Sequence, residues 1–228
     1  MLQQTQVYRV IPKFSAWIER FPTMQDLAQA STKDVLTYRS GLGFNSRALR
    51  LQQTAKILIT DYNGVLPKER DILRTLPGVG AYTSASLLAF VYNMPAPVID
   101  TNITRVLIWL LGLEETITHG ALEKIVIQTI PEKRANDWFN ALMDIGATLL
   151  TSKKTGIKPR SKQSRFVGSP RQVRGAIIRH LINHGKEYLQ TLRTHWHHEK
   201  FDSIVQGLQQ DGLIQCDNES CWLPSDHE

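Results

Sequence analysis

A proline followed at once by a glycine-bracketed turn, Leu76-Pro-Gly-Val-Gly-Ala-Tyr-Thr83, separates two helical stretches and decides how they can be joined. The segment from Arg70 to Leu76 has the composition of a short helix. Pro77 forbids that helix to continue, because its ring removes a backbone donor and restricts the residue before it. A turn must follow. Gly78 and Gly80 flank Val79, so the backbone is free to take positive φ values and to approach a ligand with no Cβ in the way. Ala81 to Tyr92 is apolar, rich in small residues and without Gly or Pro, and reads as a buried helix. The N-H groups at its start point back at the turn, where they and the loop amides are placed to bind a phosphate whatever base it carries. A plain glycine-capped helix connection would look the same locally. Asp100, seventeen residues beyond Thr83 in Val98-Ile-Asp-Thr-Asn-Ile-Thr-Arg-Val106, argues against that plainer reading by adding a carboxylate at a fixed interval.

From Thr5 to Leu150 apolar residues recur at three- and four-residue spacing, with breaks at Phe21-Pro22, Gly41 to Gly43, Asn63-Gly64 and Pro77 to Gly80. Ser31 or Thr32 before Lys33-Asp34, and Thr118 before His119-Gly120-Ala121, have the character of helix starts. An all-α domain over 1–150 follows. Residues 151–165 carry six Lys or Arg and no acid, which predicts either a solvated linker (151–168) or a contact with a nucleic-acid backbone. Beyond it, Arg171 to Asn183 and His198 to Gln210 are helical in pattern. Leu213 to Cys216 and Cys221 to Pro224 are short extended runs, so 169–228 is expected to be a small winged-helix-like module. Its wing could touch DNA, or the module could pack on the rest of the chain.

The hairpin and Asp100 together resemble the helix-hairpin-helix module of base-excision DNA glycosylases. Met1-Leu-Gln-Gln-Thr-Gln-Val7, Val10-Ile-Pro12, Arg20-Phe-Pro-Thr23, Gly41-Leu-Gly-Phe44, Phe139-Asn140 and Met143-Asp-Ile-Gly-Ala147 follow, in order, the pattern of adenine DNA glycosylases of the MutY type. The resemblance covers about 1–150. It implies a mainly α, two-lobed helix-hairpin-helix DNA glycosylase fold, with the winged-helix-like module appended. The partner it implies is double-stranded DNA with a mismatched or damaged base pair, bound by a monomer.

The resemblance assigns roles residue by residue. Such an enzyme must rotate its base out of the duplex, because the glycosidic bond is inaccessible in the stack. Pro77, Gly78, Val79 and Gly80 grip the backbone. Gln4 and Phe44 are the candidates to fill the vacated stack, core packing being the alternative for Phe44; Leu2 and Asn140 are candidates to line the base pocket, plain helix surface being the alternative for Asn140. Asp100 is the carboxylate that stabilises the positive sugar or attacks it, and it is also a favoured helix N-cap before Ile103. Asn102 would hold this carboxylate or the departing base. Tyr82 stands where strand-cutting relatives carry a lysine that forms a Schiff base; a phenol forms no imine, so base removal without strand cleavage is expected.

The family's general acid, a Glu, falls two positions before the residue matched by Met1 and so outside this sequence. A start assigned too far downstream, or a fragment, is one explanation. A short form without the acid, binding DNA without catalysis, is the other. An in-frame Glu codon two positions upstream of Met1 would support the first; an in-frame stop there would sink it. Thr101 stands where the family commonly has Gly, and the usual 8-oxoguanine-reading domain is not recognisable. A thymine or uracil glycosylase acting at G mismatches is therefore kept as the alternative to adenine excision opposite 8-oxoguanine or guanine.

Composition adds limits. The net charge of +6 fits a polyanionic partner. No apolar run reaches membrane-spanning length and the glutamine-rich start lacks a secretory pattern, so an intracellular, cytoplasmic setting without membrane contact is expected. Cys216 and Cys221 are the only cysteines and cannot supply the four thiolates of the iron-sulfur cluster usual in the family, so no cofactor or metal is expected. Their spacing suggests facing positions in a β-hairpin, with a disulfide disfavoured in a reducing cytosol. His195, His197 and His198 lack a fourth ligand at a familiar spacing and read as exposed or capping residues.

Overall fold

The computed structural model describes residues 1–2, 5–159 and 165–224. In chain order these form α1 (Val7–Arg20), α2 (Met24–Gln29), α3 (Thr32–Arg39), α4 (Ser46–Tyr62), α5 (Arg70–Thr75), α6 (Ala81–Tyr92), α7 (Thr101–Leu111), α8 (His119–Thr129), α9 (Ala135–Thr148), α10 (Ser152–Thr155) and α11 (Pro170–His184). They are followed by β1 (Glu187–Tyr188), α12 (Leu189–His195), α13 (Phe201–Gln210), β2 (Gln215–Cys216) and β3 (Ser220–Trp222). The chain forms two compact units, Met1–Val65 with Ser164–Glu228, and Leu66–Gln163. The division expected at 150 and 169 is therefore not where the chain separates.

Local chemistry sets the helix ends. Thr23 and Asp26 exchange hydrogen bonds in a capping box, and Ser31 and Thr118 cap α3 and α8 as their sequences predict. In the first unit, one core joins Trp17, Phe21 and Leu36 of the amino-terminal helices to Ile177, Leu181, Leu192, Phe201 and Leu208 of the carboxy-terminal ones. The carboxy-terminal elements have the winged-helix order helix, strand, two helices, two strands, with the sheet running β1-β3-β2. Of the two expectations for this module, the structure shows packing: its apolar residues share one core with those of α1 to α4. Helix α12 and strand β1 escape sequence reading because each is too short to show a period. The helix expected from His198 starts at Phe201.

Cys216 and Cys221 face one another across β2 and β3, as their spacing predicts, and they are joined in a disulfide. The bond is the outcome that a reducing setting disfavours. Among the described residues no three His, Cys, Asp or Glu side chains are placed to hold a metal. His195 meets the Thr191 carbonyl and His198 accepts the Lys200 N-H, both local contacts of the helix-ending kind. No helix among the described residues is long and apolar enough to cross a membrane.

The second unit is built around Leu73, Ile103, Leu107, Leu122, Phe139 and Leu142, all fully buried. Helices α7 and α9 pack most closely where Gly146 passes Asn102. A Cβ at Gly146 would fall 2.9 Å from the Asn102 Cβ, 3.1 Å from Val106 Cγ2 and 3.2 Å from the Asn102 carbonyl oxygen. Gly146→Ala is expected to destabilise by about 1–2 kcal/mol, because overpacking outweighs the roughly 1 kcal/mol that Ala gains over Gly within a helix. Thermal denaturation checks this; an unchanged or higher Tm would show that the two helices part without cost.

The first part of the basic segment is also folded, against the expectation of a plain linker. Thr151 caps α10, Ser152 Oγ donates to the Ile157 carbonyl, and Leu150 is tied to α7. Arg160 and Lys162 lie outside the described residues.

Candidate active site

Everything that positions the hairpin follows from Pro77. Helix α5 stops at Thr75, Leu76 turns extended, and the Val79 N-H closes the turn on the Leu76 carbonyl at 3.0 Å. Gly78 has φ +79°, the left-handed conformation that favours glycine. Gly80 does not: it is extended, and a Cβ there would meet nothing within 4 Å. Its glycine therefore serves access rather than backbone reach, a correction to the paired role read from sequence. Gly80 precedes α6 without a side chain to cap it, and the first turn of α6 holds no acid. Helix-end N-H groups at an open glycine turn form an anion site. Gly78 and Gly80 are both exposed; Pro77 and Val79 are half-buried.

Asp100 caps α7, its Oδ1 accepting the Ile103 N-H at 2.7 Å. The N-cap and carboxylate roles coincide, because a capped side chain has one aim. Tyr82, in the first turn of α6, lies within the field of Asp100. Burial raises the phenol pKa above its ordinary value, and the Asp100 charge adds to the rise. The phenol therefore stays protonated at neutral pH, within the field of the carboxylate.

Asn102 is aimed differently from expectation. Its Oδ1 accepts from Arg105 Nη2 at 2.8 Å, and no bond between Asn102 and Asp100 is among those of the described residues. Arg105 is only 6% exposed and also donates to the Leu150 carbonyl at 2.7 Å and the Gly146 carbonyl at 2.6 Å. One guanidinium thereby fixes α7, α9 and the chain entering α10. With Oδ1 engaged, Asn102 keeps its Nδ2 donor for a ligand. Sequence reading passed over Arg105, although a lone arginine inside the apolar run Ile103 to Leu111 was a usable signal of a buried cation with partners.

A cleft of about 230 Å³ opens beside Asp100, lined by Thr101, Thr104, Glu115, His119 and Lys158 among others. Lys158 thus brings the basic segment alongside the carboxylate. Asn140 is not brought to this site. Its amide donates to Asn136, which binds the Phe90 carbonyl near the last turn of α6, at the opposite end of that helix from the hairpin. It belongs to the helix surface. In the first unit, Leu2 is exposed, and so is Phe44, at φ +50° with the Arg47 guanidinium 4.4 Å from its ring centre. Gln4 lies outside the described residues.

Several known proteins are similar to this chain in sequence or fold. Residues 1–132 match the family described as HhH-GPD superfamily base excision DNA repair protein. A Mycolicibacterium smegmatis protein named adenine DNA glycosylase is 36% identical over an alignment covering 78% of this chain and 68% of its own. The Homo sapiens protein of that name is 35% identical, over 68% of this chain and 29% of its own. The chain thus spans about two thirds of the mycobacterial relative and under a third of the human one. Among solved structures, a thermostable thymine-DNA glycosylase superposes with a TM-score of 0.62 at 26% identity, covering 67% of this chain and 72% of that one. A non-covalent endonuclease III-DNA complex gives 0.59 at 23% identity over 69% and 72%, a likeness of fold. With a glycine turn opening α6 and a carboxylate capping α7, matched over more than half its length, this chain belongs to the HhH-GPD superfamily of base excision DNA repair proteins.

Proposed function

We propose that the protein is a monofunctional DNA glycosylase that removes adenine mispaired with 8-oxoguanine or guanine. The observation that carries this is Asp100, locked by the Ile103 N-H at the start of α7 with the Tyr82 phenol in its field, in the same unit as the phosphate-gripping hairpin. The hairpin amides hold the strand while the nucleotide turns out of the stack. As the bond from C1′ to the base nitrogen breaks, positive charge on the sugar is met by the Asp100 carboxylate. Water adds its oxygen to C1′, and a proton passes to the departing base from an acid at its edge. Tyr82 stays a neutral donor and forms no covalent link to the sugar. The choice of adenine rests on the 34–38% identical relatives that carry that name.

We also propose that the reaction proceeds without an iron-sulfur cluster. Such a cluster needs four thiolates, and the two cysteines of this chain are bonded to each other in the β2-β3 hairpin. The residues do not fit that group.

A panel of duplexes carrying A:8-oxoG, A:G, T:G and U:G tests the reading, with the protein expressed together with any sequence preceding Met1 in frame. Expected are free adenine from the first two, an abasic strand that stays intact, and no adduct with borohydride. Release of thymine or uracil but no adenine would favour the second reading, to which the structural likeness to a thymine-DNA glycosylase gives its support. A trapped adduct would end the monofunctional assignment.

A further inference from the structure

One wall of the cleft beside Asp100 comes from the basic segment, and its backbone is fixed there. Helix α10 ends at Gly156, whose φ of +76° is left-handed, and Pro159 biases Lys158 to extended backbone. Between those two stops Ile157 is held at both backbone groups. Its N-H donates to Thr155 Oγ1 at 3.3 Å and its carbonyl accepts from Ser152 Oγ at 2.7 Å. The start of the segment is tied down as well, because the buried Arg105 donates to the Leu150 carbonyl at 2.7 Å. Ile157 and Lys158 therefore line the cleft from a set position, the first half-buried and the second exposed.

A cation in this place meets a need of the chemistry. Asp100 has to face C1′ of a deoxyribose, and that sugar carries a phosphodiester. Two anions, the carboxylate and the phosphate of one nucleotide, must then lie a sugar ring apart at a cleft of about 230 Å³. Like charges that close repel unless a cation accompanies them. Lys158 is placed to supply it. The Arg105 guanidinium also reaches this lining but is committed to the oxygens of Asn102, Gly146 and Leu150. Ion pairs of this unit among the described residues join Arg70 to Glu123, Lys133 to Glu132 and Arg134 to Asp137, and Lys158 is in none of them. Thr101 and Thr104 of α7 line the same cleft and carry hydroxyl donors.

We propose that Lys158 binds the phosphodiester of the nucleotide under excision, holding its sugar against Asp100 and cancelling the repulsion between the two anions. This role rests on the glycosylase reading of Asp100. An ammonium suits it, being a compact point charge on a flexible stem that needs no fixed fork of acceptors. The contact forms once the nucleotide has left the stack, so its energy goes into the excision step as well as into binding.

The test compares Lys158→Gln with Lys158→Arg, which keeps the charge, and with Lys124→Gln, which removes one charge from an exposed position of α8 outside the cleft lining. The full chain is used, with any in-frame sequence before Met1. Excision is timed in single turnover on an A:8-oxoG duplex. Binding is followed by anisotropy from low to high salt on a duplex carrying a tetrahydrofuran abasic analogue. Lys158→Gln is expected to slow excision about tenfold and to make the salt dependence of binding shallower by about one phosphate. Lys158→Arg should keep most of both, and Lys124→Gln should excise within about twofold of the parent with an unaltered Tm. Unchanged excision and salt slope in Lys158→Gln, with a parent that excises, would overturn the inference and leave the glycosylase reading intact. So would an equal loss in Lys124→Gln, which would make Lys158 one charge among many. A parent that releases no base, while Lys158→Gln still flattens the salt slope, would remove the glycosylase reading and leave the phosphate contact standing. If the parent releases no base and the slope is also unchanged, both fall.

Discussion

Asp100→Asn is expected to slow base excision by at least about a thousandfold in single-turnover assays while leaving duplex binding in place. The substitution is chosen because it separates the two things Asp100 does. Asparagine is as good an N-cap as aspartate, so the bond to the Ile103 N-H survives and the fold should change by no more than about 0.5 kcal/mol. What disappears is the negative charge that meets the developing charge on the sugar. A single aimed electrostatic partner is worth about 10²–10³ in rate, and a full carboxylate in a site closed to water is worth more. Asp100→Ala would be a poorer test, since it also removes the cap and costs about 1 kcal/mol. The rate is measured with an A:8-oxoG duplex and the protein expressed with any in-frame sequence before Met1; stability is followed by melting. Excision within tenfold of the parent would remove Asp100 from the chemistry. An unchanged phenotype in a protein that binds but never excises would instead favour a pure DNA binder.

The largest effect on stability is expected at Arg105. Arg105→Met removes the guanidinium and strands three oxygens, those of Leu150, Gly146 and the Asn102 amide, in an interior where an unpaired acceptor costs about 1–3 kcal/mol. A total loss of about 3–5 kcal/mol follows, in line with breaking other buried ionic contacts. For a chain of this size that is a fall of roughly 10 °C in Tm. Arg105→Lys should recover only part of it, because an ammonium cannot span acceptors laid out for a planar fork. The functional part is separable: Asn102 loses the partner that fixes its Oδ1, so below the melting transition Arg105→Lys should lower the excision rate more than duplex affinity. A Tm within 2 °C of the parent for Arg105→Met would show that water replaces the guanidinium at no cost.

The hairpin was legible because its signals are local. Pro77 stops α5, Gly78 takes the positive φ, and Asp100 caps α7 through a bond three residues away. Helix starts at Ser31 and Thr118 were legible for the same reason. Which of the two readings of Asn140 holds was not legible, because sequence order places it near Met143 and Gly146 but says nothing about which end of α6 its face meets. Arg105 was passed over because its three partners are spread from Asn102 to Leu150. The Cys216 and Cys221 register was readable from their spacing, whereas the bond between them depends on geometry and redox chemistry.

Taken alone, the sequence determined the helical class, the glycine turn, the carboxylate that follows it and the family to which both belong. Those features are written in residues a few positions apart, where backbone sterics and capping act without help from distant parts of the chain. Only the tertiary structure decided that the carboxy-terminal winged helix shares a core with α1 to α4, and that Arg105 rather than Asp100 orients Asn102. It alone brought Lys158 into the cleft beside Asp100. These outcomes depend on which faces meet, and burial, charge and packing between segments far apart in sequence are settled only when the faces close on one another.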